Sequence, residues 1–293
     1  MNLLRSIFSR SHAAPAPQAA PVTLKEAMAL KYPAYAARIL GMFEAACLCE
    51  ATWQNLTKLR LQLLVDYMAE RLSPNSVSQY ATKLKAVLNL YSDEVDLPRG
   101  FARILTPRKC ASTAVYLTQG ELDLLTRYTP RNEREAFVRA IFLISAYCGT
   151  RHSDAVRLNA SNIVGHTIQY VSVKTRTHTI VPLKPIVRDL ILGRPSVDID
   201  DRTFNRIIRR ICCACGIRDR VKVFKGGREL EGEKWQFVSS HTARRTCGTL
   251  LYLRGVDILT ISKILGHNDI KTTQNYIKAD NRHTSDALMD FFA

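Results

Sequence analysis

Ser240-His241-Thr242-Ala243-Arg244-Arg245, and beyond it Leu265-Gly266-His267 leading into Thr272-Thr273-Gln274-Asn275-Tyr276, is the stretch from which the rest of the chain can be read. Its apolar spacing is helical, and Gly266 sits where a helix from Val256 should end, as a terminating glycine does. His267 is thereby held at a turn, and Tyr276 falls on the next helix. Residues three apart on a helix share a face, so His241 and Arg244 point together, one able to move a proton and the other permanently charged. Ser240 reads as the N-cap, which puts the pair on a first turn where the helix dipole favours an anion. Taken alone, helix, turn and helix around Tyr276 also fits a DNA-reading helix-turn-helix.

Two segments upstream carry similar chemistry. Gly149-Thr150-Arg151-His152-Ser153-Asp154 follows a strongly apolar helix, Ala136 to Cys148. Arg151 therefore stands at a helix boundary, with Asp154 placed to hold it from behind. Val173-Lys174-Thr175 lies in a β region. Thr167–Lys174 alternates apolar and polar residues, Thr179–Leu183 is a second strand, and Arg176–His178 is the expected hairpin tip. A Lys on such a hairpin can swing over a groove without disturbing the core. Each segment by itself is equally an ordinary surface cation.

The organisation around these segments follows from capping and breaker signals. Thr118-Gln119-Gly120-Glu121 has the spacing of a capping box and opens a second domain, 118–293, mainly α with one small antiparallel sheet. Thr203–Cys215 reads as a helix carrying Arg206, Arg209 and Arg210. Gly226, Gly227 and Gly232 mark a loop, and helices then run to an amphipathic tail, His283–Ala293. A linker, 109–117, precedes this domain. The first domain, 22–108, reads as helices only, with Leu61, Leu64 and Met68, then Val77, Tyr80, Leu84, Val87 and Leu88, at helical spacing. Ser73-Pro74 is a helix start, and Pro98 and Gly100 end the block. Residues 1–21 hold Arg5, Arg10 and an Ala-Ala-Pro-Ala-Pro run, and are expected as a disordered tail rather than a cleaved targeting segment.

Composition narrows the function. A formal net charge of +16 makes polyanions the expected partners, and nucleic acid fits better than an anionic membrane surface. No apolar stretch is long enough to span a bilayer. Of the eight cysteines, Cys212 and Cys215 make one CxxC inside a helix with no second pair at zinc spacing, so all are read as reduced thiols and no metal site is expected. Gly227 through Lys234 lacks the Gly-Lys-Ser/Thr of a phosphate loop, and no acidic cluster offers a two-metal site. Chemistry on DNA is then left to cations and a side-chain nucleophile, with no cofactor.

In this order and spacing, Arg151, Lys174, His241-x-x-Arg244, Gly266-His267 and Tyr276 resemble the tyrosine recombinase (phage integrase) family. Leu253-Arg254-Gly255, Leu265-Gly266-His267, Thr272-Thr273 and Tyr276 all have family counterparts. The resemblance spans the second domain. The first domain looks more loosely like the family's helical core-binding domain, through Leu72 to Asn89. Arg245 stands where the family often has His, outside the catalytic set.

The resemblance implies a site-specific recombinase or integrase that cuts and rejoins DNA through a 3′-phosphotyrosine at Tyr276, gripping DNA with both domains. Arg151 and Arg244 would clamp the scissile phosphate, Arg being permanently charged and forked to bind two oxygens. His267 would donate a further hydrogen bond, with Asp154 in support. Lys174 is the candidate acid for the leaving 5′-oxygen and His241 the candidate base for Tyr276. Lys83, Lys85, Arg206, Arg209 and Arg210 are further candidates for DNA contact. The implied partners are double-stranded DNA, three more copies in a homotetramer on two DNA sites, and accessory DNA-bending proteins, in the cytoplasm of a bacterial or phage-bearing cell. Two other readings compete: a type IB topoisomerase relaxing one strand with the same residues, and a non-catalytic helix-turn-helix regulator.

Overall fold

The computed structural model describes residues 22–277 apart from Lys109, Ala111 and Asn268; for Asn275, Tyr276 and Ile277 it describes the backbone only. The expected tails, 1–21 and 283–293, lie outside the described residues. The chain divides into two compact units, Met1–Cys110 and Ala111–Ala293.

The first unit is helical throughout: α1 (Leu24–Lys31), α2 (Pro33–Cys47), α3 (Lys58–Arg71), α4 (Pro74–Leu90) and α5 (Phe101–Ile104). Its helix starts are written locally. Thr23 and Glu26 form a capping box, Ser73 Oγ accepts from Ser76 N at 3.3 Å, and Pro33 and Pro74 occupy the first helical position, where their missing N–H has no helical partner to lose. Met28, Ile39, Leu61, Leu64, Met68, Val87 and Leu88 are wholly buried in one core. The helical block does not end at Pro98 and Gly100 as expected. Gly100, at φ +80°, turns the chain into α5, and Leu105 beyond it is wholly buried in that core. Those breakers mark a turn inside the domain, because an apolar anchor follows them.

The second unit contains α6 (Gln119–Arg127), α7 (Glu133–Cys148), α8 (His152–Arg157), β1 (Ile163–Val164), β2 (Thr167–Val171), β3 (His178–Pro182), α9 (Pro185–Gly193), α10 (Asp201–Ala214), β4 (Arg220–Lys225), β5 (Arg228–Glu233), α11 (Ser240–Leu253), α12 (Ile258–Leu265) and α13 (Ile270–Ile277). The capping box at Thr118 is present: Thr118 N donates to Glu121 Oε2 at 2.6 Å, and Glu121 N to Thr118 Oγ1 at 3.3 Å. α7 is apolar all round because it is packed all round, by α8, α9, α10 and α11. Phe142, Leu143 and Ile144, three successive residues, are all buried.

Two antiparallel sheets are present where one was expected. The first has order β1-β2-β3, with Ile168 facing Val181 at its centre. β2 stops at Val171, so Lys174 lies in the turn rather than on the strand. The second is the β4–β5 hairpin, in the region read as a loop. Gly226 (φ +62°) and Gly227 (φ +80°) are its two turn residues, with Lys225 paired to Arg228 across them. Two successive residues at positive φ match the twist of a tight hairpin, so the Gly pair joins strands here.

Candidate active site

α7 ends at Gly149, at φ +67°, and Arg151 becomes the N-cap of α8. A Cβ on residue 149 would lie 2.8 Å from Leu265 Cδ2 and 3.3 Å from Cys247 Sγ, so this turn rests with bare backbone on α11 and α12. Arg151 Nη1 donates to Ser172 Oγ at 3.0 Å and Nη2 to the Gly266 carbonyl at 3.0 Å. Arg244, buried on α11, donates from Nη1 to the Gly149 carbonyl at 2.6 Å and from Nη2 to the Leu265 carbonyl. Both guanidiniums therefore meet at the C-terminal end of α12, the negative end of its dipole.

Asp154 is buried but does not hold Arg151 directly, as had been expected. Its Oδ2 accepts from Ser172 Oγ at 3.0 Å and its Oδ1 from Val173 N at 3.0 Å. Arg151 is the extended N-cap residue while Asp154 belongs to the first turn of α8, and Ser172 bridges the two. Asp154 thus ties the base of the β2–β3 turn to the Arg151 corner.

Lys174 is exposed in that turn. Backbone bonds close the turn, from Ser172 N to Thr177 O at 2.9 Å and from Arg176 N to Ser172 O at 2.8 Å. Thr177 Oγ1 lies 4.0 Å from where a Cβ on Gly266 would be, so the turn reaches the α12–α13 connection. His241 is the second residue of α11. The N-cap is Ser239, whose partner in the capping box is Thr242, and not Ser240, which is already helical. Either hydroxyl could cap by residue type, and Ser240 N is instead occupied by Asn205 Oδ1 at 2.8 Å. The His241 ring is exposed, yet partial desolvation, then Arg244 and Lys174, hold it below the usual His range. Lys174 and Arg244 are therefore near enough to His241 to oppose a proton on its ring.

His267 is half-buried at the turn made by Gly266, which is left-handed at φ +58°. Its backbone N donates to Ser262 O at 3.0 Å, and its Nδ1 is 2.8 Å from Oγ1 of the wholly buried Thr273. Burial, then Arg244 and Arg151, push its pKa down to about 4, so the imidazole is neutral at physiological pH. Tyr276 lies on α13, which packs on α11 and α12; its side chain is outside the described residues.

Of the candidates for DNA contact, Arg206 is exposed on α10, and the other four have partners within the chain. Lys83 Nζ sits 4.3 Å from the Tyr35 ring centroid, and Lys85 Nζ donates to Thr106 Oγ1 at 2.7 Å. Arg209 Nε donates to Val238 O at 2.9 Å, and Arg210 pairs with the buried Glu135 at 3.0 Å. Sequence reasoning missed Ser172, and it singled out Thr273 without giving it a role. Neither carries a periodic signal, since each acts across a fold contact. Among the described residues no group of His, Cys, Asp and Glu is placed to hold a metal ion, and no helix is long and apolar enough to cross a membrane.

Residues 115–283 match the Phage integrase family. The chain is 28% identical over 192 residues to the tyrosine recombinase XerC of Caldanaerobacter subterraneus subsp. tengcongensis, covering 62% of this chain and 52% of that one. It is 23% identical to a tyrosine recombinase of Pseudothermotoga lettingae, over 80% of this chain and 82% of that one. The match thus spans about half the length of the first relative and four-fifths of the second. In fold the chain is similar to XerH site-specific recombinase bound to palindromic difH substrate, with TM-score 0.62 and 16% identity, covering 90% of this chain and 80% of that one. It is also similar to a lambda integrase dimer bound to a COC′ core site, with TM-score 0.60 and 14% identity, over 85% and 90%. The two arginines, the histidine turn and the helix bearing Tyr276 lie within the matched span, and the chain belongs to the phage integrase family of tyrosine recombinases.

Proposed function

We propose that this chain is a site-specific recombinase that cuts and rejoins double-stranded DNA through a covalent bond between Tyr276 and a 3′-phosphate. The observation that carries this reading is the convergence of Arg151, Arg244 and His267 on the α12–α13 turn, with Tyr276 on the helix that follows. The similar proteins are recombinases and integrases by name, which supports strand exchange over strand relaxation or a non-catalytic regulator.

The chemistry suits these groups. A phosphodiester repels nucleophiles, and attack adds charge to its non-bridging oxygens. Arg151 and Arg244 neutralise that charge, and fixed donors do so without reorganising at the moment of reaction. His267 gives a further hydrogen bond from Nε2, the tautomer favoured when Thr273 donates its hydroxyl proton to Nδ1. The Tyr276 hydroxyl passes its proton to His241, its oxygen bonds to phosphorus, and the bond to the 5′-oxygen breaks. Lys174 protonates that oxygen. The ester conserves the energy of the broken bond, so rejoining to another strand needs no ATP.

In the same reading, four copies act on two DNA sites in the cytoplasm, accessory DNA-bending proteins assist, and the helical first unit supplies the other jaw of a clamp on the duplex. The deciding experiment uses a nicked suicide substrate, whose short 5′ fragment diffuses away after cleavage. Wild-type protein should accumulate a covalent adduct. Tyr276→Phe should form none while binding DNA within a few-fold, because only a hydroxyl is removed. An adduct in the Phe variant would move the nucleophile elsewhere.

A further inference from the structure

The face of α10 turned toward the start of α11 carries Asp201, Asn205 and Arg209, one helical turn apart. Arg209 Nε donates to Val238 O at 2.9 Å, and Asn205 Oδ1 accepts from Ser240 N at 2.8 Å. These bonds fix the entry into α11. Asp201, one turn before Asn205 on the same face, is near enough to the start of α11 for its charge to act on His241. Its Oδ1 is 3.2 Å from Nδ1 of His152, the residue that follows Arg151. One carboxylate thus stands between the Arg151 corner and the His241 turn.

His152 lies against that carboxylate without cancelling its charge. Its ring packs edge-on against Phe204, with centroids 4.4 Å apart, and its Nε2 is buried with no partner among the described residues. Burying a bare ring nitrogen is cheaper than burying an unsatisfied N–H, so the proton sits on Nδ1, the nitrogen on the Asp201 side. Burial holds the ring below the usual His range, against the pull of Asp201. It therefore stays neutral.

The charges around His241 show what Asp201 does there. Arg244 and Arg245 face it from its own helix and Lys174 from the β2–β3 turn, and each opposes a proton on the ring; Asp201 favours one. His152, on α8, is coupled to His241 as well. We propose that Asp201 is a positioning residue for strand cleavage: set beside a neutral His152, its carboxylate is the counter-charge that lets His241 accept the proton of the attacking tyrosine. This rests on the reading of His241 as the proton acceptor. Without that carboxylate the imidazolium forms among three cations, and the base is weaker.

The test is Asp201→Asn in the full chain, a change of charge at an exposed helix start that keeps the side chain's size. Two quantities are read. In the free protein, NMR follows the His241 ring proton, assigned by its loss in His241→Gln; its titration midpoint should fall by ~0.5 unit or more when the counter-charge goes. On suicide substrate at saturating DNA, cleavage should slow by about 2–3-fold for a half-unit fall, and by more where the fall is larger, since the base weakens with its pKa. DNA affinity should not weaken, and Asp201→Glu should recover most of the rate. An unmoved midpoint overturns the proposal, and so does a moved midpoint with cleavage at the wild-type rate. Failure of the underlying reading shows itself differently, as a wild-type chain that forms no adduct or a His241→Gln variant that cleaves at full rate.

Discussion

Arg151 and Arg244 belong to helix starts far apart in the chain, yet they donate to consecutive carbonyls, Arg151 to that of Gly266 and Arg244 to that of Leu265. Successive carbonyls lie in neighbouring peptide planes, here joined through the left-handed backbone of Gly266 at φ +58°. The separation of the two guanidiniums is therefore set by one covalent unit at the end of α12, and not by two independent long side chains. The same unit leads directly into His267, so both proposed phosphate clamps and the proposed third donor share one anchor.

Gly149→Ala should disturb that anchor from a distance. The backbone there is left-handed, a Cβ would lie 2.8 Å from Leu265 Cδ2, and the Gly149 carbonyl holds the other arm of Arg244. A strained conformation combined with overpacking should cost about 1–3 kcal/mol in urea denaturation. Single-turnover cleavage should fall further than DNA affinity does. Wild-type stability in this variant would mean that the turn yields, and that Gly149 is not a fixed support.

Ser172→Ala should separate positioning from charge. The hydroxyl accepts from Arg151 and donates to buried Asp154, and its removal leaves the carboxylate one donor short. The expected loss is about 1–3 kcal/mol of stability. Cleavage at saturating DNA should also slow, because one arm of the Arg151 fork is released. A variant that is destabilised yet cleaves normally would confine Ser172 to folding.

Lys174→Ala distinguishes an acid from a clamp. As the acid, Lys174 should contribute about 10²–10⁴-fold to cleavage of ordinary DNA. The defect should largely vanish on a substrate whose bridging 5′-oxygen is replaced by sulfur, since a thiolate leaves without a proton. Arg151→Ala and Arg244→Ala should not be rescued, because they act on non-bridging oxygens. If sulfur fails to rescue Lys174→Ala, Lys174 serves in phosphate or base contact.

His267 should make stability depend on pH in the acid range. Its folded pKa is about 4, against about 6.5 for an unfolded His. Between those values the unfolded chain binds the extra proton. The contribution is therefore fully present above about pH 6.5 and lost as pH falls toward 4. His152 and His241, also lowered, act with the same sign. Urea midpoints at about pH 5 and about pH 7.5 should differ in the wild type, and His267→Gln should narrow the difference without closing it. An equal difference in both would mean that the ring gains its proton freely in the folded chain.

The residues proposed for the chemistry were legible through their joint order and spacing, which resemble the family, while each sits at a local landmark: Arg151 just past a terminating glycine, Lys174 at a hairpin, His241 and Arg244 one turn apart, His267 after Gly266. Helix existence was legible for the same reason, since caps and apolar spacing act within a few residues. The β4–β5 hairpin was hidden because its Gly-Gly turn also reads as a loop, and the N-cap of α11 because two serines stand side by side. The amino-acid sequence by itself determined the helical character of both units, the starts and stops of most elements, and the order of the charged and nucleophilic groups. Only the tertiary structure decided that Ser172 stands between Arg151 and Asp154, that Thr273 holds His267, and that α10 meets His152 through Asp201 and the start of α11 through Asn205. Capping and periodicity are local interactions, readable from near neighbours, whereas these bonds join residues whose proximity exists only once α7, α10, α11 and α12 have packed.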